Sequence, residues 1–158
     1  MPDFDELDRT VREAIKAGRI GQPVFVRCVA SVAPDGDAVG TAAQIIRAMS
    51  EWIGSPVRRL YAVESPAPRQ NSVSVEFADG AAALVNTTTA AAAGPTIDLI
   101  VLGNHGALYH ETLAEINREG AAANAAAPGA AADSALRVAL DKSLRSGQPQ
   151  VLPAKEAP

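Results

Sequence analysis

Between residues 72 and 78 the sequence adopts a period of two, and the stretch this opens, 72–110, limits the folds open to the chain. Val73, Val75 and Phe77 alternate with Ser72, Ser74, Glu76 and Ala78. Strict alternation of this kind predicts a strand with one face buried and one face wet. Ala78, Asp79 and Gly80 follow as turn residues, because Asp can bond its own backbone and Gly accepts positive φ. A second strand is expected over 81–89, a break at Gly94 and Pro95, and a third strand over 96–102. Gly103, Asn104, His105 and Gly106 then turn the chain into a short fourth strand at 107–110. Four strands joined by short turns read as a consecutive antiparallel meander, with the remaining segments packed against it.

The remaining segments alternate between helical and extended periods. Phe4, Leu7, Val11, Ala14 and Ile15 recur every three or four residues and predict an amphipathic helix. Asp3 is the expected N-cap, Glu6 its capping-box partner and Gly18 the C-terminal stop. Residues 24–32 form an apolar run with Val24, Val26, Cys28 and Ala30 on one side and Phe25, Arg27, Val29 and Ser31 on the other. Apolar residues at both parities predict a strand covered on both faces, with Arg27 the exception and a candidate ligand contact. Asp37 is placed to cap a second helix, whose apolar face is Ala42, Ile45, Ile46, Met49, Trp52 and Ile53, and Gly54, Ser55 and Pro56 end it. A short strand over 57–63 and a proline-containing loop over 64–71 lead into the alternating stretch. Residues 111–119 read as a short helix or strap, and the alanine-rich 120–132 as a flexible connector. Asp133 is expected to cap a closing helix carrying Leu136, Ala139, Leu140, Ser143 and Leu144 on one face, ended at Ser146 and Gly147. A last short strand or extended tail at 150–153 and a frayed end complete the chain. The expected fold is a single α+β domain spanning 1–158: one open, mostly antiparallel sheet with helices on one face.

Several function classes are disfavoured by composition. The net charge is −4 and no basic block or basic–aromatic interleaving occurs, so no nucleic-acid partner is expected. The alanine-rich segment is broken by Asn124, Pro128 and Gly129 and is too weakly apolar to span a bilayer. The first ten residues are acidic and lack a signal peptide's apolar core, which makes the cytoplasm the expected location. Cys28 is the single cysteine and reads as a small buried hydrophobe. His105 and His110 lie in no metal-ligand spacing and read as structural or surface residues, so no metal is expected. Arg58 and Arg59 read as a solvated strand edge, and Thr87, Thr88 and Thr89 as β-branched strand formers without a neighbouring base. No dinucleotide fingerprint, Walker loop or nucleophile elbow occurs.

Four segments, in order, carry a resemblance to a known family. VREAIKAGRIGQPVFVRC, SVSVEFADGAAALVNTT, IDLIVLGNHGALYHE and ADSALRVALDKSLRSGQPQVLP resemble the C-terminal domain of the Gfo/Idh/MocA family, the glucose–fructose oxidoreductase and inositol dehydrogenase group. The resemblance covers nearly the whole chain. It implies the α+β sheet described above. Members of that family bind NAD(P) on an N-terminal Rossmann domain, and this chain starts where such a domain would end. The dinucleotide loop and the catalytic lysine segment therefore fall outside these residues, and no cofactor is expected on them. The family's catalytic Asp and His, four residues apart, align with Gly40 and Gln44 when Trp52 to Val57 is the anchor. Neither side chain can transfer a proton. Gln44 can hydrogen-bond a polyol or carbonyl and, with Arg27, is the expected substrate contact. Family domains of this type commonly associate through the open sheet face. The expectation is therefore a domain with no catalytic residue of its own, acting as a homo-oligomer or as an accessory subunit of a Rossmann-domain oxidoreductase. Glu76, Asn86 and Thr88 are the expected interface residues. The alternative is the substrate-binding subunit of a split NAD(P)-dependent sugar or cyclitol oxidoreductase.

Overall fold

The computed structural model describes residues 4–66, 69–89, 96–111 and 130–153. Helix α1 (Phe4–Lys16) leads into β1 (Pro23–Val32), α2 (Ala38–Ile53), β2 (Val57–Pro66), β3 (Arg69–Phe77), β4 (Ala82–Thr89), β5 (Ile97–Gly103), β6 (Ala107–Glu111), α3 (Ala130–Ser146) and β7 (Gln150–Val151). The seven strands form one sheet in the order β6-β5-β1-β4-β3-β2-β7. Among the described residues only the β1–β4 pairing is parallel; the other pairings are antiparallel. The expected α+β architecture is the one observed.

The meander expectation is wrong at its centre. β3–β4 and β5–β6 are hairpins, but β4 and β5 do not pair. β1, from much earlier in the chain, lies between them, parallel to β4 and antiparallel to β5. Alternation specifies which face of a strand is buried but not which strand lies beside it. Within the proline-containing loop expected over 64–71, residues 64–66 and 69–71 are strand: Glu64 pairs with Asn71, Ser65 with Gln70 and Pro66 with Arg69, so β2 and β3 pair along their full described length. Pro66 is tolerated because it sits at a strand end.

Helix α2 packs against β1, β3 and β4, and α3 packs beside it against β2 and β7. On the strands beneath them, Val26, Cys28, Ala30, Leu60, Val73, Val75, Phe77, Val85, Leu99 and Val101 are buried, as are Ile45, Ile46, Met49 and Ile53 of α2 above. Each large aliphatic side chain buried here contributes about 1.5–3 kcal/mol of transfer free energy. The opposite face of the sheet has no helix packed on it among the described residues. β1 is consequently covered on one face only, contrary to expectation: Phe25, Val29 and Ser31 are half-buried and Arg27 is exposed.

Helix ends follow the sequence signals where they are described. Gly18 has φ +70, its N–H bonds the Ile15 carbonyl at 2.9 Å, and Arg19 N–H bonds the Ala14 carbonyl at 3.0 Å, a paired arrangement that closes α1. Gly54, also left-handed at φ 73, closes α2. α1 is held to α2 by Trp52 Nε1 donating to Asp8 Oδ1 at 2.7 Å and by stacking of Phe4 on Trp52 at 6.4 Å. Asp133 is not a cap: α3 begins at Ala130, inside the segment read as connector, because alanine is the strongest helix former. The Asp3 cap, the Gly94–Pro95 break, the 112–129 segment and the 154–158 tail lie outside the described residues.

Candidate functional site

Asp37 ends the turn that follows β1, where Gly36 N–H bonds the Ala33 carbonyl at 2.8 Å. Its carboxylate accepts from Gly40 N–H at 2.9 Å, and its carbonyl accepts from Thr41 N–H at 2.9 Å, so it is the N-cap the sequence predicts. The same carboxylate forms an ion pair with Arg137 of α3, a hundred residues away. Partial burial pushes the Asp37 carboxyl up, but the Gly40 N–H, the Arg137 hydrogen bond and charge, and the Val39 N–H outweigh it and hold the group below its ordinary 3.8. Arg137 is raised in turn by its hydrogen bond to Asp37.

This pair closes one end of a cleft of about 320 Å³ between α2 and α3, lined also by Gly40, Thr41, Gln44 and Ser134. Gln44 is half-buried, one turn along α2 from Gly40. A Cβ at position 40 would meet the ends of two side chains, the Asp37 carboxylate and, at 2.9 Å, Arg137 Nη1, so any other residue there requires both to shift. An Asp at position 40 would have to displace the cap. Among the described residues the cleft offers hydroxyl, amide and guanidinium groups but no histidine, cysteine or lysine, and the one carboxylate is committed to the cap and the ion pair. It can bind through hydrogen bonds; it holds no proton-transfer group poised near neutrality.

The two expected substrate contacts do not share a site. Gln44 is on the helix side. Arg27 projects from the bare face, between Ile100 of β5 and Leu84 of β4 in register. The three expected interface residues do lie on that bare face. Glu76 is ion-paired with Arg58 and, at 3.1 Å, with Arg59, so these arginines are not a free anion site. Asn86 Oδ1 accepts from Ser72 Oγ at 2.8 Å, and Thr88 is half-buried beside it along β4. The apolar content of this face was not anticipated. Phe25, Val29, Leu84, Ile100 and Leu102 are half-buried on it, and Tyr61, Val63 and Tyr109 are exposed at 39%, 42% and 70%. The sequence signal was the run of apolar residues at both parities in β1 and β5.

Other candidates are structural. Cys28 is 1% exposed, and burial together with the nearby Asp98 charge pushes its thiol up to about 12, only partly offset by Arg27. His105 is exposed, in a turn whose N–H groups bond the Ile20 and Gln22 carbonyls, and His110 is half-buried in β6. No group of three His, Cys, Asp or Glu side chains among the described residues is arranged to hold a metal. No described helix is long and apolar enough to cross a membrane. The first N–H groups of α2 are already taken by Asp37 and by the Gly36 carbonyl, so this helix start offers no open cradle for a pyrophosphate.

No family model and no curated protein matches the sequence. Solved structures do match the fold. The myo-inositol dehydrogenase of Lactobacillus casei, solved with NAD(H) and myo-inositol, superposes with a TM-score of 0.74 at 15% identity, covering 99% of this chain and 62% of that one. The myo-inositol 2-dehydrogenase of Lactobacillus plantarum gives 0.73 at 13% identity, over 96% and 63%. The scyllo-inositol dehydrogenase of Lactobacillus casei, with NAD(H) and scyllo-inositol, gives 0.69 at 12% identity, over 94% and 62%. This chain thus matches a little over three-fifths of the length of each, in their C-terminal part. The sheet order, the helices confined to one face and these superpositions agree with the motif resemblance: the 158 residues have the fold of the C-terminal domain of Gfo/Idh/MocA-type oxidoreductases.

Proposed function

We propose that this chain acts by association, as an oxidoreductase C-terminal-like domain that pairs with a second copy of itself through the bare face of the sheet and performs no hydride transfer alone. The observation that carries this reading is the band of half-buried Phe25, Val29, Leu84, Ile100 and Leu102, flanked by exposed Tyr61, Val63 and Tyr109, on a face where no described helix packs. A monomeric protein seldom leaves such a band open to water. Six strands at about 4.8 Å spacing and about 20 Å length offer on the order of 600 Å² per copy, at the lower end for a stable interface. The same face carries Arg27 and Arg59 together with Glu76 and Asp98, so a two-fold pairing can match opposite charges. Glu76, Asn86 and Thr88 then form the polar part of the contact, Asn86 and Thr88 toward one end and Glu76 toward the other.

Size-exclusion chromatography with light scattering tests it. The expected mass is twice the 16.3 kDa of the chain, falling to the monomer value in Ile100→Glu with its melting temperature and circular dichroism retained. A wild-type protein that stays monomeric at 100 µM overturns the reading.

A second reading rests on the Gln44 cleft. In it the domain supplies a polyol or sugar pocket, and a Rossmann domain on another polypeptide or another part of the same one supplies NAD(P) and the proton-transfer groups. Hydride transfer in a mixture with such a domain, lost when this chain is omitted and reduced in Gln44→Leu, would favour it over pure association.

A further inference from the structure

A second cleft, of about 150 Å³, shares Asp37 with the first and is bounded by Ala38 and Val39 at the start of α2 and by Asn71 and Thr89 of β3 and β4. Asn71 is 4% exposed, yet its Oδ1 has no hydrogen-bond partner among the described residues. Thr87, its cross-strand partner on the same face, is 0% exposed and its Oγ1 is also unpartnered. Buried polar atoms without partners are rare, and one lining a cleft is where a bound water or ligand can complete the hydrogen bond.

The surroundings decide what that group is. Ala38 N–H bonds the Gly36 carbonyl at 3.1 Å, Gly40 N–H bonds Asp37 at 2.9 Å, Val39 N–H serves the same carboxylate and Thr41 N–H bonds the Asp37 carbonyl at 2.9 Å. The helix therefore has no donor left for an anion. The Asp37 carboxylate is already ion-paired with Arg137, so a cation gains little. What is missing is a donor to an amide oxygen, in a space equal to about five waters at ~30 Å³ each.

We propose that this cleft binds a small neutral hydroxyl compound of about three or four carbons, which donates an O–H to the Asn71 side chain and exchanges hydrogen bonds with Thr89. This site lies away from the pairing face and shares Asp37 alone with the Gln44 cleft; Asn71 and Thr89, on which its test rests, line neither.

The test is a proton–nitrogen correlation titration of the full chain with glycerol, 1,2-propanediol and, as the charged comparison, inorganic phosphate. The expected result is a saturable shift of the Ala38, Val39 and Asn71 amides with glycerol or propanediol and none there with phosphate. Thr89→Val, a conservative change at a half-buried site, should weaken the response about fivefold, one hydrogen bond's worth; Asn71→Leu should abolish it. Shifts that rise linearly without saturating, or are equal in wild type and Thr89→Val, mean that internal water alone occupies the cleft and overturn the proposal. Saturation by phosphate overturns it as well. An unchanged oligomer mass in Thr89→Val keeps the outcome distinct from loss of pairing.

Discussion

Ser143→Ala removes a single oxygen, and the structure makes that oxygen the joint between the closing helix and the sheet. Ser143 is fully buried in α3. Its Oγ accepts from Ala62 N–H of β2 at 2.9 Å and donates to the Gln148 carbonyl at 2.8 Å. β7 covers the far edge of β2 only at Arg59 and Leu60, so beyond them no strand meets the outward N–H groups. Ala62 is 1% exposed, and water cannot replace the lost acceptor. Leaving that N–H unpaired costs about 1–3 kcal/mol, and the Gln148 carbonyl, in an exposed residue, adds up to about 1 kcal/mol. The expected loss is about 3 kcal/mol. With a urea m-value of about 2 kcal/mol/M, the midpoint should fall by about 1.5 M at constant m. Hydrogen exchange at the Ala62 amide should accelerate by about two orders of magnitude. Ser146→Ala, which removes an exposed acceptor for Gln148 N–H at 3.2 Å, is the control and should stay within about 0.5 kcal/mol. A Ser143→Ala protein within 0.5 kcal/mol of wild type, with Ala62 protection unchanged, would refute the claim that α3 is latched to β2 by this hydroxyl.

Three further outcomes are expected. The Asp37 carboxyl titrates below its ordinary 3.8 in the folded state, so its contribution is complete above that value and disappears as pH falls through the folded value. Stability measured between about pH 5 and 2 should fall less steeply in Asp37→Asn than in wild type, and Asp37→Ala should lose about 1 kcal/mol of capping at neutral pH. Gly103→Ala would drive a Cβ into the Ile20 carbonyl oxygen and to 3.2 Å from the Gln22 carbonyl oxygen. Both carbonyls are held by the 104–105 N–H groups, so thermal melts should report a loss of about 1–3 kcal/mol. The Cys28 thiol, at about 12, should resist a thiol reagent at pH 8 until the protein unfolds, and modification that keeps pace with free cysteine would contradict its burial.

Much of the local structure was legible in the chain itself. The three-four spacing from Leu7 to Ile15 and from Ala42 to Ile53, with glycines at 18 and 54, placed two helices and their ends, because such signals are carried by near neighbours. The alternation around Val73, Val75 and Phe77 likewise marked the buried face of β3, and the four ordered motifs pointed to the domain type. The candidate site was half legible. Asp37 could be read as a cap, but its ion pair with Arg137 joins residues a hundred positions apart. Arg27 and Gln44 looked like partners until the sheet separated them onto opposite faces.

What the sequence by itself determined was the period and the buried side of most elements, since side-chain direction in a helix or strand follows from spacing alone. What only the tertiary structure decided was adjacency. β1 enters between β4 and β5, which leaves one face of β1 bare and assembles Phe25, Leu84 and Ile100 into a single apolar band. The same packing buries Asn71 and Thr87 without partners and brings Ser143 to the edge of β2. These are contacts between distant segments, set by how sheet and helices share one core, and no local pattern encodes them.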